Sequence, residues 1–121
     1  MDVARVRDAM QKDPGFCGEI FTPHEIAYCE SKSKKYEHYT ARFAAKEAFL
    51  KALGTGWKFG IKFIHIEVIN NELGQPAIIL KEKAKDFATE MGISKILVSL
   101  AHIKDFATAM VVLEGKIGGV I

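Results

Sequence analysis

Arg42-Phe43-Ala44-Ala45-Lys46-Glu47-Ala48-Phe49-Leu50-Lys51-Ala52-Leu53-Gly54-Thr55-Gly56 sets a carboxylate among apolar neighbours on a segment that ends in a glycine loop. At the helical advance of about 100° per residue, Tyr36, Tyr39, Phe43 and Leu50 fall on one stripe, and Glu47 lands on it between Phe43 and Leu50. The opposite side carries Ala41, Ala45, Ala48 and Ala52, small enough for another segment to approach closely. A helix apolar on two sides belongs between other elements, so Glu47 is expected to lose its water unless a cation meets it. Lys46, Lys51 or a metal ion are the candidates. The helix alone fits a structural ion pair and a ligand-holding acid equally well. The loop Gly54-Thr55-Gly56 shifts the balance towards function, because its amides can approach phosphate without side-chain interference. It is not a Walker A loop: the lysines precede the glycines and no strand leads in.

Working outward, Val3, Val6 and Met10 recur at helical spacing over residues 3–12, with Arg5, Arg7 and Lys12 on other faces, until Asp13-Pro14-Gly15 breaks the pattern. Thr22-Pro23-His24-Glu25 has the form of a capping box and starts a helix running to about Cys29. The polar run 30–35 separates it from the long helix, about residues 37–53, which Gly54 can end in a left-handed cap. Residues 61–69 are rich in β-branched and aromatic side chains and read as a strand, followed by a turn and a short partner strand at 76–80. Ala84, Phe87, Ala88 and Met91 make the inner face of a small helix ended by Gly92. Residues 95–101 and 106–114 form an antiparallel hairpin, and the glycine-rich tail from 115 is expected to fray. Helices and strands mix without βαβ alternation, which predicts an α+β domain: a long buried helix packed on a small antiparallel sheet.

The chain has 121 residues, 49% of them hydrophobic, which suits one compact domain over 1–121. Seventeen Lys+Arg against fifteen Asp+Glu leave a net charge of +2, too small to argue for nucleic acid or membrane binding. Cys17 and Cys29 lack CxxC spacing and read as reduced cysteines, so a cytoplasmic location is expected. His24, His38, His65 and His102 show neither HxxxH spacing nor cysteine partners, which argues against a zinc enzyme. His102 stands apart, at a strand end where a hairpin turns, a position from which an imidazole can reach a ligand. Ser99 lies near it, but no acid completes a triad and no GxSxG elbow exists. Arg5, Arg7 and Lys12 form either an ordinary wet face or a dock for an acidic partner helix.

The residues 21–29 (Phe-Thr-Pro-His-Glu-Ile-Ala-Tyr-Cys) and 42–56 resemble those of the holo-acyl-carrier-protein synthase family, as do Gly74-Gln75-Pro76 and Val98-Ser99-Leu100-Ala101-His102 followed by Ala107-Thr108-Ala109. The resemblance spans nearly the whole chain in order, and it implies the 4′-phosphopantetheinyl transferase fold. It also implies a magnesium-dependent activity in fatty acid biosynthesis: transfer of 4′-phosphopantetheine from coenzyme A to a serine of apo acyl carrier protein, releasing adenosine 3′,5′-bisphosphate. On that analogy Glu47 is a Mg²⁺ ligand, and Glu47 and Lys51 are the catalytic pair. Lys46, Lys51 and Arg42 are candidates for the coenzyme A phosphates, Gly54, Thr55 and Gly56 border the nucleotide, and His102 reaches a phosphate group. Arg5 and Lys12 would face the carrier protein, and the chain would form a homotrimer with active sites between subunits.

One departure concerns the amino terminus. Family members begin with a strand ending in Gly-x-Asp, whose aspartate is the other protein ligand of the metal; the best register leaves that aspartate upstream of Met1. The expectation is that Met1 replaces a valine whose GUG codon was taken as a start, with Asp2 a substitute ligand only if the register slips. If the chain starts here, metal affinity is expected to be weak, and the alternative function is a shortened coenzyme A or carrier-protein binding module with little or no transfer. A smaller departure is Ala101, where the family often has serine.

Overall fold

The computed structural model describes residues 1–55 and 58–116, with the side chain of Lys58 left aside. The order of elements is α1 (Val3–Lys12), α2 (Phe16–Ile20), α3 (Pro23–Glu30), α4 (Lys35–Leu53), β1 (Ile66–Asn70), β2 (Pro76–Leu80), α5 (Glu82–Glu90), β3 (Ile93–His102) and β4 (Ala107–Gly115), with 3-10 turns at Lys58–Gly60 and Phe63–His65. Two antiparallel hairpins, β1-β2 and β3-β4, make the β layer, and α4 lies across β4, β3 and β1. The expected α+β architecture is therefore the observed one. Among the described residues no helix is long and apolar enough to cross a membrane.

Most element bounds follow from local chemistry. Asp2 caps α1 by accepting from the Ala4 amide at 2.9 Å, and Asp13 ends it in extended backbone. At α3 the reciprocal cap is present: Thr22 Oγ1 accepts from the Glu25 amide while Glu25 Oε1 accepts from the Thr22 amide. Gly54 ends α4 at φ 82°, its amide donating to the Leu50 and Lys51 carbonyls, a conformation that glycine adopts without a Cβ penalty. The β3-β4 ladder runs from Ile93↔Gly115 to His102↔Ala107 with an irregularity between Ile93 and Lys95. Gly115 is needed there, since a Cβ would lie 2.0 Å from the Gly92 carbonyl oxygen. Residue 115 thus closes β4 rather than opening a frayed tail, and residues 117–121 lie outside the described set.

Two differences from the sequence reading have physical reasons. Asp13-Pro14-Gly15 ends α1 as expected, but it leads into a helix the sequence reading did not place, α2, whose Ile20 is buried and whose Phe16 meets the Phe43 ring edge-on at 5.8 Å. The strand expected over 61–69 begins only at Ile66. Before it, the Phe63 carbonyl accepts from Lys46 Nζ instead of a ladder partner, and the Lys62 amide donates to the ring of its own neighbour His65. Side-chain partners take the groups a strand would pair.

At the centre of the molecule lies a buried ion pair. Lys46 Nζ donates to Glu25 Oε1 at 2.6 Å, to the Ile20 carbonyl at 2.7 Å and to the Phe63 carbonyl at 3.1 Å. Glu25 Oε2 accepts from the Val68 amide at 2.8 Å. Both side chains are 0% exposed, so each charge depends on the other. Burial pushes the Lys46 ammonium below its ordinary range, and the Glu25 carboxylate is the main influence opposing that shift. Lys46→Met should therefore leave Glu25 charged and unpaired in the core. The expected loss is about 3–5 kcal/mol of unfolding free energy, read from urea denaturation; a loss below about 1 kcal/mol would contradict the assignment.

Candidate active site

Successive residues of α4 serve different environments because each step turns the helix by about 100°. Arg42, Lys46, Phe49 and Leu53 face inward and are buried, whereas Phe43, Glu47 and Lys51, spaced four apart, line an open pocket of about 780 Å³. The other walls are α1, with Asp2, Arg5, Val6 and Ala9, and the start of β4, with Ala107, Thr108 and Ala109. Backbone bonds hold α1 there: the Ala107 amide donates to the Met1 carbonyl and the Val3 amide to the Asp105 carbonyl, both at 2.9 Å. The small residues Ala44 and Ala48 leave the pocket its width.

Glu47 is partly buried on this wall and, among the described residues, makes no ion pair. Neither lysine expected for a structural ion pair neutralises it: Lys46 is committed to Glu25, and Lys51 lines the same pocket at the spacing of one helical turn without an ion-pair contact. Asp2 places a second carboxylate on the opposite wall, with Oδ1 used in the α1 cap. No group of three or more His, Cys, Asp or Glu side chains stands together among the described residues. The donor set fits a hard divalent cation bound by one or two carboxylates and completed by water and substrate phosphate oxygens, the usual arrangement for magnesium. Glu47 is the residue best placed to hold it.

The other expected site residues are distributed as follows. Lys46 is a correction: its ammonium is enclosed and fully hydrogen-bonded, so no phosphate reaches it. Arg42 does not join Lys51 in the pocket either; it is 2% exposed, its guanidinium lies 4.0 Å over the Tyr28 ring and donates to Asn70 Oδ1. Its Nε is buried without a partner among the described residues. Gly54 is exposed, Thr55 is buried, and Gly56 lies outside the described residues. Arg5 opens onto the pocket, while Lys12 is exposed in the last turn of α1. His102 stands away from the pocket, with Nδ1 2.9 Å from Glu37 Oε1. Cys17 and Cys29 are both free. Burial pushes the Cys29 thiol up to about 12, which makes it inert. Sequence reasoning missed two acids: Glu25 as partner of Lys46, and Glu37 as partner of His102. The capping box was the only local signal for the first, and the second had none.

Because Glu47 holds no partner, Glu47→Gln should change unfolding free energy by no more than about 0.5 kcal/mol. Thermal or urea denaturation checks this; a loss of about 3 kcal/mol would mean that the carboxylate is a structural ion-pair member after all.

Comparison with known proteins places the chain in a family. Residues 1–111 match the family model described as 4′-phosphopantetheinyl transferase superfamily. The chain is 43% identical over 115 residues to a holo-[acyl-carrier-protein] synthase of Geotalea daltonii, covering 94% of this chain and 92% of that one. It is 50% identical over 95 residues to a protein of the same name from Geobacter metallireducens, covering 78% and 75%. Among solved structures, the holo-[acyl-carrier-protein] synthase of Neisseria meningitidis superposes with a TM-score of 0.84 at 32% identity, covering 94% of this chain and 92% of that one. The Bacillus anthracis enzyme in complex with CoA (3′,5′-ADP) gives 0.76 at 33% identity, covering 95% and 90%. With a family model matched over residues 1–111 and a relative 43% identical covered to 92% of its length, the chain belongs to the holo-[acyl-carrier-protein] synthase family of the 4′-phosphopantetheinyl transferase superfamily.

Proposed function

We propose that this protein transfers 4′-phosphopantetheine from coenzyme A to a serine of apo acyl carrier protein, releasing adenosine 3′,5′-bisphosphate, and acts in the cytoplasm in fatty acid biosynthesis. The observation that carries the reading is Glu47, a carboxylate that faces the pocket and makes no ion pair among the described residues. Glu47 would hold a magnesium ion, with Asp2 on the facing wall a substitute second carboxylate only if the register slips, and the ion would supply positive charge against the diphosphate. Lys51, one turn beyond Glu47, is placed to meet the same diphosphate and to neutralise charge as the leaving phosphate departs. Arg5 stands at the rim on α1 and, with Lys12, offers the cationic face for an acidic helix of the carrier protein. Gly54 and Thr55 border the nucleotide at the end of α4. The transfer itself exchanges a phosphoanhydride for a phosphodiester: the serine hydroxyl gives up its proton to water as its oxygen bonds to the β-phosphorus, the bond from that phosphorus to the bridging diphosphate oxygen breaks, and the bisphosphate leaves with that oxygen.

The protein acts as a homotrimer with sites between subunits. Two observations support this part of the reading. Leu97, Met110 and Val112 all point outward from the β3-β4 hairpin and are 42%, 67% and 43% exposed, an apolar face that a second copy would cover. In addition, Glu37, the partner of His102, precedes Glu47 by ten residues of α4, about 15 Å along the axis. Contacts from both ends to one substrate are most simply made when one copy contributes Glu47 and its neighbour His102.

Incubation with apo acyl carrier protein, coenzyme A and Mg²⁺ should yield the phosphopantetheine adduct by mass spectrometry. Glu47→Gln, folded as above, should slow it at least about 100-fold, and chelation of divalent cations should stop it. Normal turnover by that variant would remove Glu47 from the chemistry. A Met110→Glu, Val112→Glu double variant should elute as monomer in size-exclusion chromatography with light scattering and lose transfer; a trimer that survives both charges would overturn the proposed interface.

A further inference from the structure

We propose that Glu37 is a positioning residue for His102, holding the imidazole so that its Nε2 is presented to a phosphate group of coenzyme A. The inference rests on the transferase reading above for the identity of the ligand, and on the local geometry for everything else. His102 is the last residue of β3, its backbone registered against Ala107, and the chain turns immediately after it with the Ile103 amide donating to the Phe106 carbonyl at 2.8 Å. The side chain therefore leaves a fixed point. It lies over the first turn of α4, where Glu37 is buried and its Oε1 is 2.9 Å from His102 Nδ1.

A carboxylate only accepts, so Nδ1 must carry the hydrogen in this contact. Nε2 is then the free end of the ring, an acceptor in the neutral form and a donor once the ring is protonated. The exposures are unequal: the Glu37 side chain is 10% exposed and that of His102 32%. Here one ring nitrogen is taken by Glu37, and the other makes no hydrogen bond to a described residue.

His38 contributes shape rather than charge. Its ring meets that of His102 edge-on, with centroids 4.7 Å apart at 61°, and packs against the imidazole as a neighbour in shape. Burial first, then the neighbouring His102, Arg42 and Lys32, hold His38 below the usual histidine range, so at neutral pH it adds no competing cation. Glu37 is also in the first turn of α4, where the helix dipole favours a negative side chain. The carboxylate acts on the ligand only through His102. That distinguishes it from Glu47, which faces the pocket itself.

The test is a double-mutant cycle on coenzyme A affinity, measured by calorimetry with the whole chain as wild type, Glu37→Gln, His102→Gln and the double variant. Glu37→Gln is expected to weaken binding about tenfold, the loss of one charge-assisted contact, with kcat at saturating coenzyme A within about twofold of wild type. In the His102→Gln background the same substitution should cost nothing further. Unchanged affinity in Glu37→Gln, or an equal loss with and without His102, would overturn the proposal. A second measurement needs no variant: ring nitrogen shifts in the wild-type protein should show the neutral His102 protonated at Nδ1, and the opposite tautomer would also overturn it. Wild-type protein that shows this coupling and tautomer yet moves no phosphopantetheine would support Glu37 in this role while removing the transferase reading.

Discussion

The Lys46–Glu25 pair is the contact on which the rest of the molecule depends. Through the three protons of one ammonium and the two oxygens of one carboxylate, five separate segments meet: the end of α2, the cap of α3, the middle of α4, the turn before β1, and β1 itself. Neither charge has water to fall back on, so the geometry is all or nothing. An apolar pair could fill the same volume, but it could not set α3, α4 and β1 in one register through directed bonds. The pair also explains why the chain leaves strand geometry before Ile66, because a backbone carbonyl there is needed by the lysine.

Fixing Lys46 inward fixes its neighbour outward. Glu47 follows by one residue, about 100° around the helix, and so is carried to the face that α1 and β4 leave open. The proposed metal-holding carboxylate is thus not the fully buried Glu25 but Glu47, which faces the pocket and makes no ion pair among the described residues. Its own lysine neighbour is occupied, and its second neighbour Lys51 shares the pocket without closing on it. A site that binds a cation and a diphosphate needs that arrangement: an anion kept available and a cation kept near, both on a rigid helix.

Much of this was legible from sequence where the signal is local. The end of α1 follows from Asp13, the start of β2 from Pro76, and the end of α4 from Gly54. The cap of α3 was readable from Thr22 and Glu25 because both partners lie within four residues. What periodicity could not supply was the second role of Glu25, since its partner is 21 residues away. A stripe of aromatic side chains placed Glu47 on the apolar face, where the structure has it only partly buried on an open pocket, and it gave no means to decide which of Lys46 and Lys51 turns inward. That choice is made by acceptors on Ile20 and Phe63, segments with no recognisable link to α4 in one dimension. Glu37 and His102 are 65 residues apart and meet only because the β3-β4 turn lies over the start of α4.

The account turns on Glu47 being kept free by the Lys46–Glu25 lock in order to hold a cation. Anomalous diffraction from crystals grown with Mn²⁺ and coenzyme A tests this directly. The account predicts a manganese peak bonded to Glu47 and a diphosphate oxygen, with Lys46 still donating to Glu25. Density showing Glu47 paired to a lysine, with the metal and the diphosphate elsewhere, would contradict it.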